Sequence, residues 1–492
     1  MRCRKTHLDE NSREKEFLRR NCGLRRLFRP RPVLRTALRW RRARLWPVGR
    51  GWTRIVAIGR IKGDGPLLFA LGATGLNPRT IKLIDAWLGI PLCWVLTLVR
   101  RLAGIFHRGR TTTAPPRKIL FLKLIEMGAH VHAYAAVRRA AEMVGRENVY
   151  FWVFQESVPI LSLLDVVPRE NVIVVRTKGL FRIVFDLLRT VWQIRRMKID
   201  AVIDMEFFSR ASACLAFLSG AERRVGLHRF TTVAPYRGDL MTHRVQYNPY
   251  IHVSTYFYLL VEALQAPPGE CPLSKRPLPP QPLPAFHFVP KEEELQRLQQ
   301  RLDQRAGFPV RHPIVLLNPN VSDIVPLRSW PLERFAETAQ QLLARHPNLT
   351  VVVTGPAAAA GEALVREIGR APSADGRRLV NMAGQTSFRE FLVLFCLADV
   401  LVASDSGPSQ FAAMTDIDAV VLFGPETPLL WGPLGDRMHV LWTQLACSPC
   451  INPFNFRFSP CQDPVCMSGI TVDQVVAAVS QALAERAGRG RA

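Results

Sequence analysis

Acidic residues are scarce where this chain begins. The first 110 positions hold 6 Asp and Glu against 26 Lys and Arg, and the first fifty alone carry 17 basic and 4 acidic side chains. Residues 111–492 are nearly balanced, with 40 basic and 34 acidic side chains. The formal charge of +26 over 492 residues therefore belongs mostly to a basic N-terminal extension, 1–110, on a nearly neutral body. The extension lacks interleaved rings for base stacking and any recognisable reading motif, so nucleic acid is not expected as a partner. A secretory signal is missing too, because no apolar core with a small-residue cleavage site follows the basic stretch. With 48% hydrophobic and 22% charged residues the chain cannot be wholly disordered, and its length predicts two or three domains.

A confident membrane span is also absent. Between Asp85 and Arg100 lie 14 uncharged residues, fewer than the about 20 that cross a bilayer. Trp87 and Trp94, seven apart, share one helical face near Leu83, Ile90 and Leu98, with Pro91 expected to kink or delay the helix. Tryptophans on an apolar face beside Arg100, Arg101, Arg108 and Arg110 suit a helix of about 83–106 lying in an anionic headgroup region. The alternatives are a helix packed on the body, and an arm that is only solvated or extends past the true start.

From 117 onward, short apolar runs alternate with helical patterns. Strands are predicted at 118–124, 150–154, 171–175 and 201–205, with helices through 144, over 180–197 and through 218, and a closing helix near 250–264. Residues 266–290 contain nine of the 37 prolines, which forbids a helix or central strand and predicts a stiff connector. The alternation restarts with strands at 313–319, 349–355, 399–405 and 419–424, and ends in a helix over 471–487. The fold class is α/β: two Rossmann-like domains, 115–265 and 291–492, facing a cleft where ligands meet the carboxyl ends of the strands.

One turn stands out locally. Ser404-Asp405-Ser406-Gly407-Pro408 follows a buried strand and opens a helix. Gly407 permits a tight turn, and free amides at a helix start can hold phosphate or sugar oxygens; a plain N-cap reads the same way. Around it stand Asn318-Pro319-Asn320, the run from Pro326 through Arg328-Ser329-Trp330-Pro331 to Phe335, Gly424-Pro425-Glu426-Thr427-Pro428, and Lys118 to Gly128 near the start of the body. In this order and spacing the motifs resemble the heptosyltransferases, glycosyltransferase family nine, from about 118 to the C-terminus.

The resemblance implies the GT-B fold. It also implies metal-independent, inverting transfer of a sugar, heptose from ADP-heptose in known members, to a lipopolysaccharide-type glycolipid at the inner face of the bacterial inner membrane. It implies that Asp405, Ser406 and Gly407 contact the donor with Asn318 and Asn320, that Arg328 replaces a lysine neutralising the departing diphosphate, and that Glu362 and Thr386 contact the nucleoside. Where the family has Gly-Asp, its acceptor-activating base, this chain has Gly128-Ala129. Glu126 is the substitute candidate, with His130 and then His132 behind it. Gln410 stands in place of a family histidine, and Asp416-Ile417-Asp418 in place of a Gly-Thr-Pro turn, without forming a metal site.

Ten cysteines include Cys447, Cys450, Cys461 and Cys466, a spacing that fits a structural zinc or iron–sulfur cluster, reduced thiols or disulfides. The resemblance implies that catalysis itself requires no cofactor. Two rival readings share these residues: transfer of a different nucleotide sugar to an outer polysaccharide, and a catalytically silent member that binds glycolipid or a protein partner.

Overall fold

The computed structural model describes residues 78–106, 115–270, 275, 277–322, 325–370 and 378–489. The basic arm before residue 78 lies outside the described residues.

Two six-stranded parallel sheets form the body. β1 (Ile119–Leu122), β2 (Val149–Phe154), β3 (Val172–Val175), β4 (Ala201–Asp204), β5 (Arg223–Leu227) and β6 (His243–Val245) lie in the order β3-β2-β1-β4-β5-β6. β7 (Ile314–Asn318), β8 (Thr350–Val353), β9 (Leu379–Asn381), β10 (Val400–Ser404), β11 (Asp418–Phe423) and β12 (Met438–Trp442) repeat that order as β12-β11-β10-β7-β8-β9. Every residue of β1, β4, β7, β8, β10 and β11 is buried, as expected for strands covered by helices on both faces. Chain order reverses between β1 and β4 and between β7 and β10, the positions where such sheets open a crevice. There Leu122 pairs with Asp204, and Asn318 with Ala403. The expectation of an α/β fold with two Rossmann-like halves holds.

The proline-rich segment passes from one half to the other. Phe286 stacks edge-on against Tyr134 at 5.7 Å, while the Phe288 amide donates to the Met414 carbonyl at 2.6 Å.

The helix before the body is longer than its apolar run suggested. It spans Pro78–Phe106 and continues through Pro91, which lies on the exposed side where the carbonyl it frees can be solvated. Trp87–Gly104 is long and apolar enough to cross a membrane by length and composition. One face nevertheless packs along the first half. Asp85 pairs with Arg210 at 2.6 Å, the Cys93 and Cys214 sulfurs lie 3.6 Å apart, Thr97 accepts from the Asp239 amide, and Arg100 pairs with Asp239. Gly238, at φ +71°, admits this close packing, since a Cβ there would meet Thr97 and the Cys93 carbonyl below 3 Å. The opposite face leaves Trp87 77% and Trp94 60% exposed.

Candidate active site

The carboxyl ends of the two sheets face each other, and polar side chains gather on both sides. In the second half, Asn318 is fully buried at the end of β7, its Oδ1 accepting from the Asn320 amide at 3.1 Å. The Asn318 and Asn320 Nδ2 atoms, Thr354 Oγ1 after β8, Ser404 Oγ at the end of β10 and Arg328 Nε are all buried without a hydrogen-bond partner among the described residues. Buried polar atoms are rarely left so. Five of them along one edge of a sheet describe a surface shaped to receive a polar ligand. Gly355, at φ +146°, keeps that edge open: a Cβ there would fall 1.9 Å from Asn320 Nδ2.

Arg328 is placed by its neighbours in sequence. It ends a short 3-10 turn, Pro326–Arg328, after which Trp330 is buried against Phe335 and donates from Nε1 to the Ile470 carbonyl at 3.1 Å. Arg334 donates to the same carbonyl at 2.7 Å. Thus anchored, Arg328 reaches Asp405 with Nη1–Oδ2 at 3.3 Å. Burial pushes the Asp405 carboxyl above its ordinary range against the pull of Arg328. Glu426, after β11, is buried too, and burial first and Asp405 second push it well above the carboxylate range. Two carboxyls therefore compete for one cation. The sequence shows Glu426 within its motif but gives no sign of this pairing.

Ser406 and Gly407 begin the helix Gly407–Ala412. Ser406 Oγ donates back to the Ser404 carbonyl at 3.0 Å, and Ser409 Oγ to the Ser406 carbonyl at 2.7 Å, so both side chains serve the turn itself. Gln410 donates from Nε2 to the Trp431 carbonyl at 2.8 Å. Thr386, half-buried after β9, and Glu362, exposed on the helix Ala358–Ile368 after β8, lie farther along the same edge.

In the first half, Glu126 sits in the left-handed region at φ 72°, an uncommon place for a non-glycine residue and one where backbone strain marks functional loops. Its carboxylate is held by two cations. Lys123 Nζ approaches Oε2 at 3.3 Å, and Arg457, from the second half, pairs with Oε1. Lys123 is fully buried and also meets Glu206 at 3.0 Å, while Glu206 Oε1 accepts from the Leu124 and Ile125 amides at 2.7 and 3.1 Å. Burial pulls the Lys123 ammonium below its usual range, and Glu206 opposes that. Asp204 continues the network, bonded by Arg237, by Ser212 Oγ at 2.9 Å and by the Glu206 amide at 3.0 Å. Arg457 lies 4.7 Å above the Trp431 ring, and burial lowers it to about 10.

The two histidines lie buried beside the loop. His130 is 1% exposed, its Nδ1 near the Glu126 carbonyl at 3.2 Å and its ring against Phe151, and burial lowers it to about 3. His132 is buried 5.1 Å from His252 and pushed well below its usual value, burial being the main cause. A ring that weakly basic cannot hold a proton near neutral pH. Gly128 has a packing role: a Cβ there would lie 3.2 Å from Gln410 and 3.5 Å from the Gly407 Cα, so its absence lets the two halves touch.

The cysteine cluster needs correction. Cys447 and Cys461 are exposed, Cys461 Sγ donates to the Asp463 carbonyl at 3.1 Å, and Cys466 is buried beneath Gly424. Among the described residues no three His, Cys, Asp or Glu side chains converge as metal ligands. The Cys461 thiol is instead spent on a turn and that of Cys466 on a core contact. Asp416 and Asp418 pair with Arg437 and with Arg486 and Arg489, respectively.

Two Rossmann-type halves whose strand ends enclose a polar cleft define the GT-B class of architecture. The chain belongs to glycosyltransferase family 9 (heptosyltransferase), whose family profile matches residues 187–455, more than half of it. It is similar to lipopolysaccharide heptosyltransferase 2 of Salmonella typhimurium, at 30% identity over 24% of this chain and 32% of that protein. It also resembles the lipopolysaccharide core heptosyltransferase OpsX of Haemophilus influenzae, at 22% identity over 67% of this chain and 85% of the relative. The matched stretches span only a third to two-fifths of the heptosyltransferase 2 proteins of Salmonella, Haemophilus and Escherichia coli. In fold it superposes on the E. coli ADP-heptose heptosyltransferase II with a TM-score of 0.55 and 18% identity, over 75% of this chain and 99% of that one. A family 9 glycosyltransferase from Veillonella parvula gives 0.54 and 18%, over 76% and 100%.

Proposed function

We propose that this protein moves a sugar, heptose by family, from a nucleotide-activated donor to a lipopolysaccharide-type glycolipid, with inversion and without a metal. The observation that carries this reading is the row of unpartnered buried polar atoms on Asn318, Asn320, Arg328, Thr354 and Ser404 at the carboxyl edge of the second sheet. Donor hydroxyls and diphosphate oxygens would satisfy them. Arg328 would leave Asp405 for the diphosphate as it departs, a charge-assisted contact that strengthens as negative charge develops. Asp405 and Glu426 would hydrogen-bond donor hydroxyls. The acceptor hydroxyl would attack the anomeric carbon and give its proton to Glu126 once Arg457 has swung away. Thr386 and Glu362 lie where a nucleoside could extend along the edge.

One observation favours the binding-only reading: both oxygens of Glu126 are occupied by cations. A carboxylate so neutralised is a weak base until one cation leaves.

The site would work at the inner face of a bacterial inner membrane, with the exposed face of the helix Pro78–Phe106 against anionic lipid. Thermal-shift titration of the full chain with ADP, UDP, GDP and their sugar conjugates tests the donor assignment. Stabilisation by ADP and ADP-heptose that Arg328→Ala reduces at the same ligand concentration is the expected result; no response to any nucleoside diphosphate would overturn it.

A further inference from the structure

The helix Leu180–Arg196 carries an apolar stripe that none of the described residues covers. Its inner side is ordinary: Leu187, Val191 and Ile194 pack on the sheet face lined by Trp152, Ile173 and Val175. Its outer side exposes Phe181 (93%), Val184, Phe185, Leu188 and Trp192, spaced 3, 1, 3 and 4 residues apart along one helical face. A single exposed leucine needs no explanation, but a contiguous stripe with two phenylalanines and a tryptophan marks a binding surface.

The charges around the stripe specify the partner. Residues 176–198 hold seven basic side chains and one acidic one. The acidic one, Asp186, is buried and bonded at both oxygens by Arg176 at 2.8 Å, so it presents no negative charge outward. Arg182, Arg189, Arg195 and Arg196 are exposed along the helix, and the Arg196 guanidinium lies 3.5 Å from the Trp192 ring centroid. Tryptophan under arginine at the border of an apolar face suits the headgroup zone of a bilayer.

A second helix presents its apolar side from the same sheet face. Cys93 and Leu96 of Pro78–Phe106 join the same core cluster, and both helices flank the helix Arg210–Leu218, one through Cys93 and Cys214 and the other through Arg195 Nε to the Leu218 carbonyl at 2.7 Å. Each turns its apolar face away from the sheet, with Trp87 and Trp94 exposed on one and Phe185 and Trp192 on the other. A broad surface meets both more readily than a groove-binding peptide would. A second copy of the chain would bring two such basic rims together, and residues 1–77 carry 20 basic and 5 acidic side chains, so both occupants are opposed by like charge.

We infer that Leu180–Arg196 is a membrane-docking helix, its apolar stripe inserted at the surface of an anionic bilayer with its arginines on lipid phosphates. This surface is separate from the donor cleft and does not depend on which sugar is moved. The full chain should bind vesicles of phosphatidylethanolamine and phosphatidylglycerol, and hydrogen exchange should show protection of the 180–196 segment only when those vesicles are present. The exposed-face double variant Phe185→Ser/Leu188→Ser, with an unchanged melting midpoint, should bind about tenfold more weakly. Vesicle binding without protection of 180–196 would overturn the inference, as would equal binding by the double variant. So would sedimentation showing a dimer that the double variant dissociates. ADP-induced stabilisation is read separately on both proteins and should be equal; its absence in both bears on the transferase reading alone.

Discussion

Arg457 of the second half closes on the Glu126 carboxylate of the first, an ion pair drawn directly across the cleft. Residues from opposite halves meet here because Glu126 holds a left-handed turn at φ 72° and Arg457 another at φ 55°. The pair links the two halves at one contact.

Glu126→Gln should lower kcat by roughly 10²- to 10⁴-fold, the range expected for a lost general base, with ADP affinity unchanged. Steady-state kinetics beside calorimetric ADP binding checks it. Arg457→Gln frees one oxygen of the same carboxylate and should change kcat while leaving ADP affinity as it is.

Arg328→Ala should weaken ADP binding about tenfold or more and depress kcat further still, because the contact strengthens as the diphosphate leaves. Arg328→Lys should restore charge without the bidentate grip and recover only part of both. Parallel measurement of Kd and kcat separates the two effects.

Burial raises Glu426 in the folded state, so between its unfolded and folded values the native protein binds more protons than the unfolded chain. Stability from this group is present below the unfolded value and falls as pH rises through that window. Glu426→Gln should therefore gain stability relative to the parent above about pH 4.5, of the order of 1 kcal/mol by neutrality. Denaturant melts at pH 4.5, 6 and 7.5 give the trend. ADP affinity should also depend less on pH in the variant, since Arg328 then faces one competing carboxylate rather than two.

Lys123 is fully buried between Glu206 and Glu126, so Lys123→Met should strand both carboxylates and cost about 3 kcal/mol in urea unfolding. Replacing exposed Cys447 with Ser should leave the same midpoint unchanged, and strong chelators should not lower it.

Much of this was legible in the sequence. Runs such as ILFL and VLVAS could be nothing but buried strands, and they fell within a residue or two of β1 and β10. Strands that carry charge or run for only a few residues were not legible. β5 begins with Arg223-Arg224, whose charge hides a strand that exists because Arg224 buries its stem and donates from Nε to the Leu240 carbonyl at 2.7 Å. β6 has only three residues. The helix Glu292–Ala306 has little sequence signal, because its few fully buried positions, Leu298 and Leu302, give a thin apolar stripe in a charged run. At the site, the turn at Asp405 and the cation at Arg328 could be located by motif. Arg457, Glu206, Asp204 and Arg237 could not, because a buried ionic network between distant loops has no local spacing. The cysteine spacing shows the reverse: four thiols close in sequence do not by themselves make a ligand set, and Cys461 and Cys466 serve a turn and the core.

The central claim is sugar transfer from a nucleotide donor at the cleft, and mass spectrometry of the acceptor tests it most directly. The full chain is incubated with ADP-heptose and a heptose-deficient lipopolysaccharide, beside Glu126→Gln and Arg328→Ala. The account predicts one added heptose with stoichiometric ADP release by the parent and almost none by either variant. ADP binding without transfer from any nucleotide sugar to any core acceptor, or full transfer by Glu126→Gln, would contradict it.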